Sequence, residues 1–446
     1  MPALDPEAID IAREYLRKAE TIVGQIPGLA EGMQRRPISS VGIVGAGTMG
    51  AGIAMCFVNA GLTVRLIDLD EHALQRGLDM MQRNFASMVN RGRIQPAQAS
   101  TNMQRVSASC DFAGLVECDL VIEAAFEDMT VKESICERLG KICKAGAIIA
   151  TNTSTLNVDV LAVASGRPAD FLGMHFFSPA HAMRLLEVVR GAKTAMEVLA
   201  TVLDVAQKIG KVSDVSGVCY GFIGNRMLES YLREAEFLLM EGATPTSIDQ
   251  AIEATGMAMG PCKMIDMAGV DVAARVVLAL QKAGSAPDDP AYRAVVRRLF
   301  ELERFGQKTQ RGYYRYEGRL AYLDPEVESL CLGLAKYHGI PRRDFISSDE
   351  IIERCLFPLI NEGAQIVEEG IAYRASDVDL VWVNGYGFPP SRGGPLYMAD
   401  QIGPANIVER LKAYAVARGN AYDYWSVCDL LSNAAVLHEH QTRIQH

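Results

Sequence analysis

The segment 171–190, FLGMHFFSPAHAMRLLEVVR, contains a histidine and an acidic residue that could act as an acid–base pair. His175 ends a predicted strand, and Glu187 follows in a second apolar run, where a lone acid is costly unless it is paired or functional. A histidine that titrates near neutral pH can take the proton of an alcohol, and a carboxylate beside it would fix its tautomer and stabilise the imidazolium. The pair is therefore a candidate for proton abstraction. For such a pattern taken alone, a histidine satisfied inside the core is the more common explanation.

Other polar residues lie close to predicted strand or helix ends. His181 is a second histidine of the same segment, but it lies beyond Pro179 on a predicted loop and ranks below His175 as a base. The sequence NTST at 152–155 follows a predicted strand, and Asn225 lies at the start of a long predicted helix. Helix capping and turn formation are the more common roles of such residues, so both explanations stay open.

A glycine-rich loop lies between a predicted strand and a predicted helix. Gly45, Gly47 and Gly50 form GxGxxG directly after the β-branched run VGIVG. In this motif the first glycine allows a tight turn, the second lets the backbone approach a pyrophosphate, and the third lets the helix pack closely on the strand. Asp68, at the end of the next predicted strand, would accept both hydroxyls of a ribose and repel a 2′-phosphate. The unit predicts NAD rather than NADP as the cofactor, with a purely structural glycine turn as the alternative.

Predicted strands and helices alternate around these residues from about residue 38 onward. The predicted strands are 41–45, 64–68, 119–123, 147–151 and 172–176, and the predicted helices are 49–60, 71–91 and 130–143. Because alternating strands and helices form parallel sheets, this part predicts an α/β domain with a parallel, doubly wound sheet of the Rossmann type. Such sheets bind ligands at the edge formed by the carboxyl ends of the strands, where we expect His175.

The chain beyond residue 217 predicts mainly helices, at 222–241, 246–254 and 269–283. A shift of 128 residues aligns Arg226 with Arg354, Leu228 with Leu356, Glu234 with Glu362, Glu241-Gly242 with Glu369-Gly370, and Asp249 with Asp377. We therefore predict two similar all-α domains, with chance matching of helices as the alternative. The expected division is a linker helix and arm at 1–37, a dinucleotide-binding domain at 38–216, and helical domains at 217–318 and 319–446.

Composition narrows the class of protein further. The 446 residues carry a formal net charge of −10, which suggests neither nucleic acid nor an anionic membrane as a partner. The ten cysteines include no CxxC pair and no zinc-spaced Cys/His cluster, so we expect free thiols and no metal site. No apolar run reaches transmembrane length, and neither the N-terminal segment nor the C-terminal RIQH resembles a targeting signal. We expect a cytoplasmic protein.

Several motifs, in their order along the chain, resemble the L-3-hydroxyacyl-CoA dehydrogenase family. Over residues 38–318 they are VGIVGAGTMGAGIA, VIEAAFEDMTVK, ATNTSTL, HFFSPAHAMRLLEVV, GFIGNR and GMAMGP. Further along, LINEGAQIVEEG and NGYGFPPSRGGP resemble the second helical repeat of the multifunctional fatty-acid β-oxidation enzymes. HFFSPAH with a duplicated tail is similar to the dehydrogenase half of the peroxisomal-type bifunctional enzymes. The resemblance implies NAD-dependent oxidation of (S)-3-hydroxyacyl-CoA to 3-oxoacyl-CoA, and it favours a catalytic role for His175.

The resemblance also implies a role for each matching residue. His175 would be the base, Glu187 would orient it, Ser154 would bond near the 3-oxygen, and Asn225 would hold the substrate carbonyl region. Cofactor contacts are implied for Gly45, Ala46, Gly47, Thr48, Met49, Gly50, Asp68, Glu127, Lys132, Asn152 and Lys308. No metal is implied, and the residues that contact CoA are not identified.

The second helical repeat is predicted to be non-catalytic, because Glu353 stands where the first repeat has Asn225 and no second His–Glu segment precedes it. It would cover the surface that shorter family members bury by dimerising, which predicts a monomer. The multifunctional relatives carry an enoyl-CoA hydratase domain before the linker helix, so functional coupling to a hydratase is implied. Two other functions stay open. A dehydrogenase of free hydroxy or sugar acids would use a lysine where this chain has GFIGNRM, and an NAD-binding protein could lack catalysis.

Overall fold

Two compact units make up the part of the chain that the computed structural model describes, which is residues 5–30, 32–282 and 284–433. Of the described residues, the sheet unit contains 17–30, 32–225 and 369–386, and the helical unit contains 5–16, 226–282, 284–368 and 387–433. Within the described ranges, no helix is long and apolar enough to cross a membrane. The division into four domains that the sequence suggests stays a prediction.

The elements predicted from the sequence are found, with ends that differ by at most two residues. The strands are β1 (Ser40–Val44), β2 (Thr63–Ile67), β3 (Val106–Ser109), β4 (Leu120–Glu123), β5 (Ile148–Thr151), β6 (Phe171–Phe176), β7 (Leu185–Val189), β8 (Val212–Ser216), β9 (Arg315–Glu317) and β10 (Leu320–Tyr322). The helices are α1 (Pro6–Ile22), α2 (Thr48–Asn59), α3 (Glu71–Asn90), α4 (Pro96–Gln104), α5 (Met129–Ile142), α6 (Val158–Ala164), α7 (Met196–Lys208), α8 (Gly224–Glu241), α9 (Pro245–Glu253), α10 (Pro261–Ala268), α11 (Val270–Lys282), α12 (Ala294–Glu301), α13 (Pro325–His338), α14 (Ser348–Glu368), α15 (Ala375–Gly385), α16 (Pro395–Ile402), α17 (Pro404–Arg418) and α18 (Asp429–Ser432).

The sheet has the strand order β3-β2-β1-β4-β5-β6-β7-β8, and its first six strands in this order are parallel. The predicted parallel, doubly wound sheet is confirmed, because all five predicted strands (β1, β2, β4, β5 and β6) are parallel. Two strands that were not predicted extend the sheet: β7 runs antiparallel to β6, and β8 runs parallel to β7. Residues 177–184 between β6 and β7 are too few for the crossover of a dozen or more residues that a parallel neighbour needs. The reversal places Glu187 directly opposite His175.

Apolar layers cover both faces of the sheet. On one face, strand residues such as Ile43 and Leu66 pack with Ile53 of α2 and Val202 of α7. On the other face, residues such as Val121 and Ile149 pack with helices α5 and α6. Burial on both faces explains why the parallel strands read as nearly continuous apolar runs, and it makes the sheet a rigid platform for the loops at its carboxyl edge.

The helical unit contains α8 and α14, which occupy corresponding positions in the two repeats. Arg226 of α8 donates to Glu362 of α14 at 2.5 Å, and Arg354 of α14 donates to Glu234 of α8 at 2.9 and 3.1 Å. These are the arginines and glutamates that the shift of 128 residues aligns. When two similar elements pack around a two-fold axis, a residue of each contacts the same partner residue of the other, as these arginines and glutamates do. They support the predicted duplication.

Candidate active site

His175 and Glu187 face each other across the antiparallel strands β6 and β7. The Nδ1 atom of His175 lies 2.7 Å from Oε2 of Glu187, and both side chains are buried. The other carboxylate oxygen of Glu187 accepts hydrogen bonds from the backbone N–H groups of Ile223 and Gly224, at 3.2 and 3.0 Å. A carboxylate held in this way keeps the ring proton on Nδ1, so Nε2 is the nitrogen that can take a proton from a ligand.

Two phenylalanine rings flank the histidine. The ring centroids of Phe177 and Phe222 lie 4.4 and 5.8 Å from that of His175, and Phe222 is fully buried. Apolar walls of this kind keep water away and strengthen the electrostatic interaction between an imidazolium and a carboxylate. The arrangement is chemically suited to taking a proton from a weak acid and returning it.

Glu127, which follows β4, organises the loop after β5. Its Oε1 atom accepts hydrogen bonds from the Thr153 hydroxyl at 2.7 Å, the Ser154 backbone N–H at 2.8 Å and the Ser154 hydroxyl at 3.0 Å. The structure thus brings two of the predicted site residues, Glu127 and Ser154, into direct contact. While its hydroxyl donates to Glu127, Ser154 can only accept a hydrogen bond from a ligand.

Lys132 is fully buried and ties the ends of β4 and β5 together. Its Nζ atom donates to both carboxylate oxygens of Glu123 at 2.9 Å and to the carbonyl oxygen of Asn152 at 3.1 Å. The side-chain oxygen of Asn152 in turn accepts from the backbone N–H of Phe176 at 2.9 Å, next to His175. Sequence reasoning missed Glu123, although an acid that ends an apolar strand in VIEAAFEDMTVK is a signal that could have identified it.

Both the nitrogen and the oxygen of the Asn225 side-chain amide form hydrogen bonds. Its Nδ2 donates to the carbonyl oxygen of Ser154 at 3.3 Å, and its Oδ1 accepts from the hydroxyl of Tyr386 at 2.8 Å. Burial is the main cause that raises the pKa of Tyr386 well above its usual value, and the charge of Glu187 adds to it, so the hydroxyl keeps its proton. Tyr386 is a second residue that sequence reasoning missed, because no local pattern joins residues so far apart along the chain.

The glycine loop after β1 forms a cradle that fits a pyrophosphate. Gly45 has a φ of +105°, and a Cβ there would lie 2.5 Å from the carbonyl oxygen of Ala124. A Cβ on Gly50 would overlap the carbonyl oxygen of Gly45, whereas the space at Gly47 is open. Helix α2 begins here without a side-chain cap, so the first amides of the helix, at Thr48 and beyond, can bind an anion.

The acid predicted to bind ribose lies beside this cradle. Asp68 follows β2, and its Oδ2 atom accepts a hydrogen bond from the backbone N–H of Ala46 at 2.8 Å. Its Oδ1 atom accepts from the N–H of Asp70 at 3.2 Å. A fixed carboxylate next to an open glycine turn suits a dinucleotide whose ribose hydroxyls bind at the end of the second strand.

Asp214 on β8 is in register with Glu187 on β7 and is fully buried. Neither of its carboxyl oxygens has a hydrogen-bond partner among the described residues. Burial, together with the charges of Asp377 and Glu187, raises the pKa of Asp214 well above its usual value. This carboxyl therefore holds a proton over a wider pH range than an ordinary aspartate does.

Two further candidates, Lys308 and His181, interact with other groups in the structure. Lys308 belongs to the helical unit, where it forms an ion pair with Asp271, and its contact with a cofactor stays a prediction. His181 has no carboxylate partner in the described ranges, and burial and the charge of Lys211 lower its pKa. No group of three or more His, Cys, Asp or Glu residues in the described part of the chain could hold a metal ion.

The glycine cradle, the fixed acid after β2 and the order of the six parallel strands together define a dinucleotide-binding fold of the Rossmann type. Residues 40–216 match the family model described as 3-hydroxyacyl-CoA dehydrogenase, NAD binding domain. Residues 221–316 and 351–441 match the model of the C-terminal domain of 3-hydroxyacyl-CoA dehydrogenase, which confirms the predicted duplication. The chain belongs to the 3-hydroxyacyl-CoA dehydrogenase family.

Individual relatives agree with this assignment. The peroxisomal bifunctional enzyme of Cavia porcellus is 40% identical over 392 residues, which are 85% of this chain and 54% of that protein. The chain therefore spans about half the length of this relative. The structure is similar to that of 3-hydroxybutyryl-CoA dehydrogenase from Escherichia coli, with a TM-score of 0.78 and 25% identity over 91% of this chain and 99% of that one. It is also similar to the dehydrogenase part of multifunctional enzyme 1 from C. elegans, with a TM-score of 0.66 and 28% identity over 95% and 96%.

Proposed function

We propose that this chain oxidises (S)-3-hydroxyacyl-CoA to 3-oxoacyl-CoA in fatty-acid β-oxidation or related acyl-CoA metabolism, with His175 as the base. The observation that carries the proposal is the 2.7 Å contact between His175 Nδ1 and Glu187 Oε2 at the carboxyl edge of a dinucleotide-binding sheet. That edge is where such sheets bind the reacting groups. When bound, NAD accepts the hydride that leaves the alcohol carbon.

In the proposed mechanism, Nε2 of His175 takes the proton of the 3-hydroxyl, and Glu187 balances the charge of the imidazolium. Asn225 offers an N–H of its amide to the substrate carbonyl, and the Ser154 hydroxyl would turn from Glu127 to donate to the 3-oxygen. When NAD is bound, residues of the glycine loop would hold its pyrophosphate, and Asp68 would hold the adenosine ribose. Glu127, Lys132 and Asn152 hold the loops on the nicotinamide side, and the reverse reaction returns the proton from His175 to the 3-oxo oxygen.

The test is NADH oxidation with acetoacetyl-CoA, measured beside free acetoacetate and beside the variant His175→Ala. We expect turnover of the CoA ester alone, reduced about 10²–10⁴-fold or more in the variant, because a general base contributes that much. The matched control is His181→Ala, which removes the other histidine of the same segment and should keep turnover. Turnover of free acetoacetate would indicate a dehydrogenase of free hydroxy acids. NAD binding without any turnover would indicate a non-catalytic protein.

We also propose that the chain is a monomer. The ion pairs Arg226–Glu362 and Arg354–Glu234 join similar surfaces of the two repeats within one chain, which supports the idea that the second repeat takes the place of a dimer partner. Light scattering coupled to gel filtration tests it, and a mass of twice 48.5 kDa would contradict it.

Two further proposals concern the surroundings of the protein in the cell. Functional coupling to an enoyl-CoA hydratase would supply the 3-hydroxyacyl thioester, because hydration of an enoyl thioester produces that group. The cytoplasm remains our proposed compartment, and the ten free cysteines suit its reducing conditions. Peroxisomes are the competing compartment, because the Cavia porcellus relative is a peroxisomal bifunctional enzyme, and cell fractionation distinguishes the two.

A further inference from the structure

Residues 369–386 belong to the sheet unit, although they lie within 351–441, the second stretch that matches the model of the C-terminal domain. Their last residue, Tyr386, reaches the side chains around His175. Tyr386 directly follows α15, and its hydroxyl donates to Oδ1 of Asn225 at 2.8 Å. We propose that Tyr386 is a positioning residue for the dehydrogenase reaction: it fixes the side-chain amide of Asn225 so that an N–H group faces the substrate. The inference rests on the proposed function and deepens it, because it gives the second repeat a part in the active site.

The chemistry of its neighbours determines how the amide of Asn225 is turned. The carbonyl oxygen of Ser154 can only accept a hydrogen bond, so the NH₂ group of Asn225 must face it, at 3.3 Å. Oδ1 then faces Tyr386, whose hydroxyl remains protonated and donates. With one N–H bound to Ser154 and the oxygen bound to Tyr386, the second N–H is left to donate to a ligand. Without the hydroxyl, the amide loses the bond that fixes its rotation.

The ring of Tyr386 is itself held firmly. It stacks on Trp382 with ring centroids 4.7 Å apart and meets Phe177 edge-on at 5.6 Å, and Phe177 also lies against His175. A Cβ on Gly224 would overlap the ring, so a glycine is needed for this approach. Because Phe keeps these ring contacts and loses only the hydroxyl, Tyr386→Phe isolates the hydrogen bond to Asn225.

The experiment is a double-mutant cycle with Tyr386→Phe and Asn225→Ala, read as kcat and KM for acetoacetyl-CoA and NADH. We expect Tyr386→Phe alone to lower kcat/KM for acetoacetyl-CoA by about 10-fold, the worth of one net hydrogen bond in a binding site, while KM for NADH stays unchanged. In the Asn225→Ala background the same change should have no further effect, because Tyr386 acts through Asn225.

The matched control is Tyr373→Phe, which removes another tyrosine hydroxyl from the same segment. Tyr373 accepts a hydrogen bond from Arg190 at 3.1 Å and makes no bond to Asn225, so this variant should keep wild-type kinetics. Equal losses from Tyr386→Phe in both backgrounds, or no loss at all, would overturn the positioning role while leaving the proposed function intact. If the wild type fails to reduce acetoacetyl-CoA, the proposed function is overturned, and this inference falls with it.

Discussion

Arg226 of the first helical repeat forms an ion pair with Glu362 of the second. Their counterparts pair the other way round, with Arg354 of the second repeat bound to Glu234 of the first. The two pairs differ in their surroundings. The side chain of Arg354 is fully buried and also binds Glu241, whereas that of Arg226 is 18% exposed. The two pairs thus join corresponding residues of the two repeats, and one of them belongs to a buried charge network.

This difference predicts unequal effects on stability. Arg354→Met leaves Glu234 and Glu241 buried and short of a partner, which should lower the free energy of unfolding by about 3–5 kcal/mol. Arg226→Met removes the pair that is more exposed to solvent and should cost less, because water screens that pair more strongly. Urea denaturation of both variants measures the two values. Equal losses would show that burial does not distinguish the pairs.

Replacing Glu187 by glutamine should reverse the tautomer of His175. The two backbone N–H groups of Ile223 and Gly224 require an oxygen, so the amide NH₂ of the variant must point at His175 Nδ1. The ring then carries its proton on Nε2 and can no longer act as a base there. We expect kcat to fall by about 10²–10⁴-fold with NAD affinity retained. Glu197→Gln, on α7 of the same unit, is the control that should keep its activity. Unchanged kcat in Glu187→Gln would refute the proposed role of Glu187.

The cofactor preference should depend on Asp68. Asp68→Ser keeps an oxygen that can accept the N–H of Ala46 and removes the negative charge that repels a 2′-phosphate. The ratio of kcat/KM for NADPH to that for NADH should rise by about 10-fold, which corresponds to about 1.4 kcal/mol. The measurement is NADH and NADPH oxidation with one acyl-CoA substrate. A ratio equal to the wild-type value would show that another group selects the cofactor.

Asp214 should make the stability of the protein depend on pH. Its folded-state pKa lies well above the usual value, mainly because of burial, and the acids Asp377 and Glu187 add to the shift, whereas Arg374 opposes it. The stabilisation from its bound proton is complete below the unfolded-state pKa of about 4 and is lost as the pH rises through the folded-state pKa. Asp214→Asn lacks this titration. The unfolding free energy of the wild type should therefore fall relative to that of the variant as the pH is raised above about 4. Urea titrations over this pH range that show a constant difference would contradict the assignment.

Features that depend on neighbours along the chain were predictable from the sequence. The glycine loop and the strand before it lie within residues 40–50, and their types and spacing suffice to predict the turn and the cofactor class. The alignment of Arg226 with Arg354 predicted the duplication, because a repeat preserves the order of its side chains. His175 and Glu187 could be paired as a hypothesis because both lie in one short segment.

Features that depend on distant pairing were not predictable in the same way. The reversal of β7 follows from the short connection after β6, yet the apolar run LLEVV alone does not show its direction. Glu123 acquires its role only when α5 brings Lys132 over the end of β4. Tyr386 lies 161 residues from Asn225, and a single sequence gives no sign of that contact.

The late position of residues 369–386 in the chain has a consequence for how the protein is made. A ribosome adds residues from the N-terminus, so residues 226–368, which belong to the helical unit, are synthesised before α15 can join the sheet unit. Contacts that join distant parts of a chain form slowly. We therefore expect the nascent chain to bring His175 and Glu187 together well before Tyr386 reaches Asn225, so that a newly made molecule acquires its base early and its full activity only after residues 369–386 have been made.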